Sequence, residues 1–244
     1  MRIADCELRK TKSFLMTNKT QKNFDEQAPH YDETVLKLVP KYVEQNQFLL
    51  KLIPFNSSDE IRVLDLGCGT GILAYLILQQ FPKAQIKAFD LAQNMIDQCK
   101  ELLIDFSGRV EFQQGDFLKD DFGNGYDLIV SGLAMHHSTH EEKEQIYQKI
   151  FNALNAGGIF INRDIVIGET EALTQLYQQH WQEFVASNGE DPEHWLKRHL
   201  EYDQPSSLSD QLSWLKKAGF EDVDCFWKYY NYTIFGGKKG SGFK

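Results

Sequence analysis

The residues best suited to chemistry in this 244-residue sequence are an acid and three glycines at the end of a predicted strand. Asp65, Gly67, Gly69 and Gly71 form the pattern D-x-G-x-G-x-G. Glycine lets a backbone come close to a ligand, and the free N–H groups of a following helix can bind one. The dinucleotide fingerprint G-x-G-x-x-G fails, because Ile72 occupies its third glycine position. An acid two residues before Gly67 favours a cationic ligand over a pyrophosphate.

Two further acids follow the next two predicted strands. Asp90 ends the second strand, where a carboxylate can accept the two hydroxyls of a ribose. Asp116 ends the third strand, where a carboxylate can accept an adenine amino group. The carboxyl ends of adjacent parallel strands form the edge at which open α/β sheets bind ligands. The three acids are therefore predicted to form one site, although any one of them alone is equally typical of a helix cap.

Strands and helices alternate along most of the chain. The apolar patterns predict strands over residues 61–66, 85–90, 110–114, 126–131 and 159–162, and helices over 72–81, 93–105, 139–154 and 208–218. Such alternation predicts a parallel sheet with right-handed crossovers. Residues 24–53 are predicted to be helical with a break at Pro40, and the aromatic-rich runs 223–230 and 232–235 are predicted to form an antiparallel hairpin.

These features resemble the class I S-adenosylmethionine-dependent methyltransferases over about residues 24–240. The resemblance rests on the glycine motif with Asp90 and Asp116, the segment 128–137 and the turn 155–158. It implies an α/β, Rossmann-like sandwich with helices on both faces. Its seven-stranded, mostly parallel sheet has the order 3-2-1-4-5-7-6, with strand 7 antiparallel and a helical insertion after strand 5.

The resemblance also implies how the chain is divided. A loose extension, residues 1–20, precedes a single methyltransferase domain, residues 21–244. That domain comprises the N-terminal helices 24–53, a Rossmann-like core 60–164, a helical lid insertion 165–205, and a C-terminal helix and hairpin 206–237.

S-adenosylmethionine is the cofactor that the resemblance implies. Gly67 and Gly69 would line its methionine part, while Asp90 would hold the ribose. Asp116 and Phe117 would hold the adenine, and Ser131 would lie on the sulfonium side. The full set of implied cofactor residues is Tyr31, Tyr42, Asp65, Gly67, Cys68, Gly69, Asp90, Leu91, Asp116, Phe117, Ser131, Gly132 and Leu133.

Two histidines after the fourth strand are candidates for a catalytic base. Imidazole titrates near neutral pH, so His136 or His137 can take a proton from an acceptor. The alternative is that these histidines only line the binding pocket or form a hydrogen bond at the start of the next helix. Adjacent histidines point to different sides, and no ligand spacing accompanies them, so no metal site is predicted.

The insertion after the fifth strand supplies candidate acceptor-binding residues. Tyr177 and Trp181 are four residues apart, on one helix face. They form either an aromatic lid over the acceptor or a packing face against the body of the domain. Arg198 is a further candidate for substrate binding, or else a surface arginine.

Composition limits the class of partner. Asp and Glu outnumber Lys and Arg by 35 to 26, and the resulting charge of −9 argues against nucleic acid. Four scattered cysteines fit a reducing cytoplasm, and no apolar run is long enough to span a membrane. A small-molecule acceptor is predicted, and exposed aromatics of the terminal hairpin allow a homodimer.

Three functions remain open, of which the favoured one is methyl transfer to a small molecule by in-line displacement. The second is synthesis of carboxy-S-adenosylmethionine. The segments 39–42 and 197–201 resemble those synthases, and Arg198 stands where they hold the added carboxylate. Gly69 and Gly132 depart from that group and favour an ordinary methyltransferase. The third is a non-catalytic subunit that binds S-adenosylmethionine.

Overall fold

The computed structural model describes residues 21–22 and 24–241. The predicted extension over residues 1–20 lies outside them. Among the described residues, the strands are β1 (Arg62–Leu66), β2 (Gln85–Asp90), β3 (Val110–Gln114), β4 (Tyr126–Gly132), β5 (Leu154–Ile165), β6 (Glu221–Tyr229) and β7 (Tyr232–Lys238). The α-helices are α1 (Tyr31–Leu38), α2 (Tyr42–Lys51), α3 (Ile72–Gln80), α4 (Gln93–Leu102), α5 (His140–Ala153), α6 (Glu171–Ser187), α7 (Pro192–Tyr202) and α8 (Leu208–Ala218).

The sheet has the predicted topology. Its seven strands lie in the order β3-β2-β1-β4-β5-β7-β6. The first five pair in parallel, and β7 is antiparallel to both β5 and β6. This arrangement confirms the Rossmann-like class of fold, and it brings the carboxyl ends of β1, β2, β4 and β5 to one edge.

Alternating side chains of β1 enter two separate apolar cores, one on each face of the sheet. Val63 packs with Leu73 and Ile77 of α3. Leu64 packs on the other face with Ile146 of α5 and Leu215 of α8. Burial on both faces explains the apolar residues Val63, Leu64 and Leu66 of β1, and it fixes the register that places Asp65 at the edge.

The helix α5 begins and ends close to the predicted bounds 139–154, whereas β5 starts before the predicted strand 159–162. Thr139 and Glu142 form a reciprocal capping box at its start. The extended residue Leu154 ends the helix, in agreement with the predicted end. Strand β5 starts at Leu154 and has 12 residues, so the glycines of this turn lie within the strand.

The insertion after β5 consists of α6 and α7 and packs against the N-terminal helix α1. The Trp181 indole N–H donates a hydrogen bond to the Leu38 carbonyl at 2.7 Å. Lys37 forms an exposed ion pair with Glu190. Within the described part of the chain, the structure contains no helix that is long and apolar enough to cross a membrane.

Candidate active site

A cavity of about 830 Å³ opens at the carboxyl edge of the sheet. Twelve of the thirteen residues predicted for the cofactor line it: Tyr31, Tyr42, Asp65, Gly67, Cys68, Gly69, Asp90, Leu91, Asp116, Phe117, Gly132 and Leu133. We call it the cofactor cavity. Its volume is typical of a site for a ligand of nucleoside size.

The expected position of Ser131 is wrong. Its side chain is fully buried, and its hydroxyl donates a hydrogen bond to the Leu66 carbonyl at 2.7 Å. Ser131 therefore ties β4 to β1 within the sheet, and it does not line the cavity, whereas Gly132 and Leu133 do.

The glycine turn shapes the floor of the cofactor cavity. Gly67 has φ +77°, and a Cβ there would lie 2.4 Å from the Cβ of Ala134. Gly69 has φ +54°, and a Cβ there would meet no atom within 4 Å. A side chain is thus excluded at Gly67 by both strain and collision, while Gly69 exposes its backbone to open space.

Asp90 is held at the end of β2 by two backbone N–H groups. Its Oδ2 accepts from Gly69 at 2.8 Å and its Oδ1 accepts from Ala92 at 2.9 Å. Burial raises the pKa of this carboxyl, although these backbone hydrogen bonds oppose the shift. Each oxygen keeps a lone pair, so the carboxylate can still accept two hydroxyls of a ligand.

Asp65 is a buried acid with an unused oxygen. Its side chain is fully buried, and Oδ2 accepts from the Ala74 N–H at 3.1 Å. Oδ1 has no hydrogen-bond partner among the described residues. Burial raises the pKa of Asp65 to about 7. An orphaned carboxylate oxygen on a cavity wall is suited to a cationic group of a ligand.

Asp116 lines the cofactor cavity, but its own turn engages the carboxylate. Oδ1 accepts from the Leu118 N–H at 2.9 Å, and Oδ2 pairs with the Lys119 ammonium at 2.6 Å. Its contact with an adenine amino group stays a prediction.

Arg163, two residues before the last residue of β5, is a cavity residue that the sequence analysis missed. It is only 2% exposed, and its guanidinium lies 4.7 Å from the centre of the Tyr42 ring. It directly follows the predicted strand 159–162, and that position was the available signal.

A second cavity of about 170 Å³ adjoins the first. It contains all five residues predicted for catalysis and acceptor binding: His136, His137, Tyr177, Trp181 and Arg198. Phe24, Tyr31, Leu133 and His137 line both cavities, so the two spaces meet there. We call this space the acceptor cavity.

The histidines of the acceptor cavity are bound to two aspartates that sequence reasoning missed. His136 Nδ1 lies 2.5 Å from Asp164 Oδ1, and His137 Nδ1 lies 3.0 Å from Asp203 Oδ1. His199 Nδ1 shares Asp203 through Oδ2 at 2.7 Å. These distances fix the orientation of each imidazole ring.

The charge state of His137 follows from these contacts. Burial alone would lower its pKa, but the charge and hydrogen bond of Asp203 raise it above the ordinary histidine value. Burial opposes ionisation of Asp203 as well, yet His136 and His137 hold its pKa below the usual range. His137 can thus store a proton where the two cavities meet.

One group of side chains within the described residues has the spacing of a metal site. Ligand atoms of His136, His137 and Asp203 lie within 4.8 Å of one another. His137 Nδ1 and Asp203 Oδ1 lie 3.0 Å apart and pair with each other. The expected absence of a metal stays a prediction.

The predicted acceptor residues on the insertion have both structural and cavity contacts. Tyr177 receives a hydrogen bond from Lys228 at 3.2 Å, and its ring packs edge-on against Tyr230. The Arg198 guanidinium lies over the rings of Trp195 and Tyr202, at 5.3 and 5.6 Å. Both residues therefore help to pack α6 and α7 while they line the cavity.

Comparisons with known proteins agree with this geometry. A model of the methyltransferase domain matches residues 63–158. A carboxy-S-adenosyl-L-methionine synthase of Campylobacter lari is 24% identical over 218 residues, which cover 85% of this chain and 90% of that protein. The solved structure of a putative O-methyltransferase from Nostoc punctiforme is 19% identical, with a TM-score of 0.65.

Human N-acetylserotonin methyltransferase, solved in complex with S-adenosylmethionine, has a TM-score of 0.58 at 21% identity. These two structures cover 88% and 85% of this chain, which spans 60% and 54% of their length. Residues 63–158 thus match the methyltransferase-domain family, and the chain shares the Rossmann-like fold of S-adenosylmethionine-dependent methyltransferases, which supports S-adenosylmethionine as its cofactor.

Proposed function

We propose that this protein transfers the methyl group of S-adenosylmethionine to a small molecule bound in the acceptor cavity. The observation that carries the proposal is the meeting of the two cavities at Tyr31, Leu133 and His137. A cofactor on one side and an acceptor on the other would face each other there. A space of about 170 Å³ is suited to a small acceptor.

The residues of the cofactor cavity fit S-adenosylmethionine. The oxygens of Asp90 would accept hydrogen bonds from the ribose hydroxyls. The orphaned Oδ1 of Asp65 would accept a hydrogen bond from the ammonium group. When bound, S-adenosylmethionine supplies a methyl group already activated by the sulfonium. The chain's own contribution is then mainly alignment, which can supply about 7–11 kcal/mol of rate enhancement.

His137 is the proposed base for an acceptor that loses a proton. With Nδ1 on Asp203, Nε2 is the nitrogen that can take up the proton. The acceptor cavity is lined mostly by aromatic and aliphatic side chains, including Trp181, Trp195 and Ile165. That lining favours an aromatic or apolar acceptor with a hydroxyl or amine group.

The pH dependence of the reaction tests this role of His137. Below its pKa, the rate should rise about tenfold per pH unit, and it should level off above the ordinary histidine value of about 6.5. Asp203→Asn removes the charge that raises the pKa, so the inflection should move to lower pH. The measured rate is that of S-adenosylhomocysteine formation. A pH–rate profile with the same inflection in both proteins would contradict the assignment of His137 as the base.

The proposed function is tested by incubating the protein with S-adenosylmethionine labelled in the methyl group. A small-molecule extract is supplied in one reaction and total RNA in another. We expect label in a small molecule, together with an equal amount of S-adenosylhomocysteine. Label in RNA, or no transfer at all by protein that binds the cofactor, would contradict the proposal. Asp90→Ala protein is the negative control.

Synthesis of carboxy-S-adenosylmethionine is the second candidate. It is favoured by the Campylobacter relative of that name and by the position of Arg198 in the acceptor cavity. In that case, the purified protein should carry the carboxylated cofactor, and Arg198→Met protein should lose it. Retention of unmodified S-adenosylmethionine by both proteins would support methyl transfer instead.

A further inference from the structure

Arg163 carries a positive charge that the described residues leave without a close partner. Its buried Nε and Nη1 atoms have no hydrogen-bond partner among the described residues. Arginine keeps its charge in proteins, so this guanidinium cannot escape the cost of burial by losing a proton. Such a group is expected to meet an anion when a ligand binds.

The chain makes specific room for this side chain. Arg163 of β5 pairs with Gly132 of β4 in the parallel register. A Cβ at Gly132 would lie 2.9 Å from Arg163 Nη2 and 2.8 Å from a methyl carbon of Leu73. On its other side, the guanidinium lies over the Tyr42 ring at 4.7 Å. Gly132 leaves space for the guanidinium and Tyr42 packs against it, so that it lies in the wall of the cofactor cavity.

An opposite charge without a full set of partners lines the same cavity. Asp65 also has an orphaned atom, Oδ1, and the field of Arg163 acts on it. A group that can bind an anion and a group that can bind a cation lie in one cavity. Together they match a ligand that carries both charges, such as the zwitterionic end of an amino acid.

We propose that Arg163 binds a carboxylate inside the cofactor cavity. The favoured source is the amino-acid end of S-adenosylmethionine, held between Arg163 and Asp65. A second source of a carboxylate is carboxy-S-adenosylmethionine, in which the carbon of the methyl group carries it. The inference rests on the proposed use of this cofactor, and it adds the residue that orients the amino-acid end.

Binding of three ligands to the full-length protein tests the proposal. The ligands are S-adenosylmethionine, its decarboxylated form, and carboxy-S-adenosylmethionine, each titrated by calorimetry. The variants are Arg163→Met, which removes the charge, and Arg163→Lys, which keeps it without the planar fork. The matched control is Arg62→Met, since Arg62 lies at the start of β1, away from the carboxyl edge that holds the cavity. Thermal unfolding reports whether each variant is folded.

Wild-type protein should bind S-adenosylmethionine about tenfold more tightly than the decarboxylated form. Arg163→Met should lose that preference, Arg163→Lys should keep part of it, and Arg62→Met should keep all of it. If wild-type protein instead prefers only the carboxylated cofactor, and Arg163→Met abolishes this preference, the carboxylate is the one on the transferred carbon.

Two results would overturn the inference, and they are distinguishable. If wild-type protein binds S-adenosylmethionine and Arg163→Met binds all three ligands equally well, the carboxylate site fails while the proposed function stands. If wild-type protein binds none of the ligands, both fail.

Discussion

Replacing Asp90 by alanine should weaken the binding of S-adenosylmethionine by about 10- to 100-fold. A hydrogen bond to a charged group contributes roughly 1.5–3 kcal/mol, and this carboxylate is expected to accept the ribose hydroxyls. The same oxygens fix the Gly69 and Ala92 N–H groups, so the substitution also loosens the glycine turn. Isothermal titration with S-adenosylmethionine measures the change.

The matched control for Asp90 is Asp97→Ala. Asp97 lies on the exposed side of α4 and pairs with Lys100 at 3.0 Å. Its removal should leave the affinity within about twofold of wild type, since exposed ion pairs contribute little. Equal affinity of wild-type and Asp90→Ala protein would contradict the ribose assignment.

Replacing Asp65 by asparagine should remove a large pH dependence from the stability of the cofactor-free protein. Burial raises the pKa of Asp65 from 3.8 to about 7, so the folded state holds a proton that the unfolded chain has released. The contribution of Asp65 to the free energy of unfolding is therefore fully present below about pH 4, and it is lost as the pH rises to about 7. The shift corresponds to a loss on the order of 4 kcal/mol.

The difference between wild-type and Asp65→Asn protein isolates this group from Asp90 and His137, which also titrate. The free energy of unfolding, from urea titrations between pH 4 and 8, should favour Asp65→Asn increasingly as the pH rises. Its affinity for S-adenosylmethionine should fall, because a neutral amide does not attract the ammonium. Glu101→Gln, on the exposed side of α4, should show neither effect. A difference in stability that does not depend on pH would refute the raised pKa.

Local sequence was sufficient to predict the acids at the carboxyl ends of β1 and β2. The apolar run before Asp65 and the spacing to Asp90 depend only on neighbours along the chain, and the structure brings both acids into one cavity. The exact strand order came with the family resemblance, since periodicity alone predicts parallel pairing but not which strands are neighbours.

Contacts between distant segments could not be predicted. The space for Arg163 exists because β4 and β5 pair Gly132 with it, which no local pattern shows. Asp203 meets His137 only after the insertion folds back over a separation of 66 residues. Ser131 was misplaced because its direction depends on β1, whose carbonyl it binds.

The most direct test of the account is mass spectrometry of the small molecules released when the purified protein is denatured, followed by titration of the stripped protein with S-adenosylmethionine. The account predicts release of S-adenosylmethionine or S-adenosylhomocysteine, and saturable binding of the added cofactor. A protein that releases neither compound and does not bind added S-adenosylmethionine would contradict the assignment of the cavity formed by Asp65, Asp90 and Arg163.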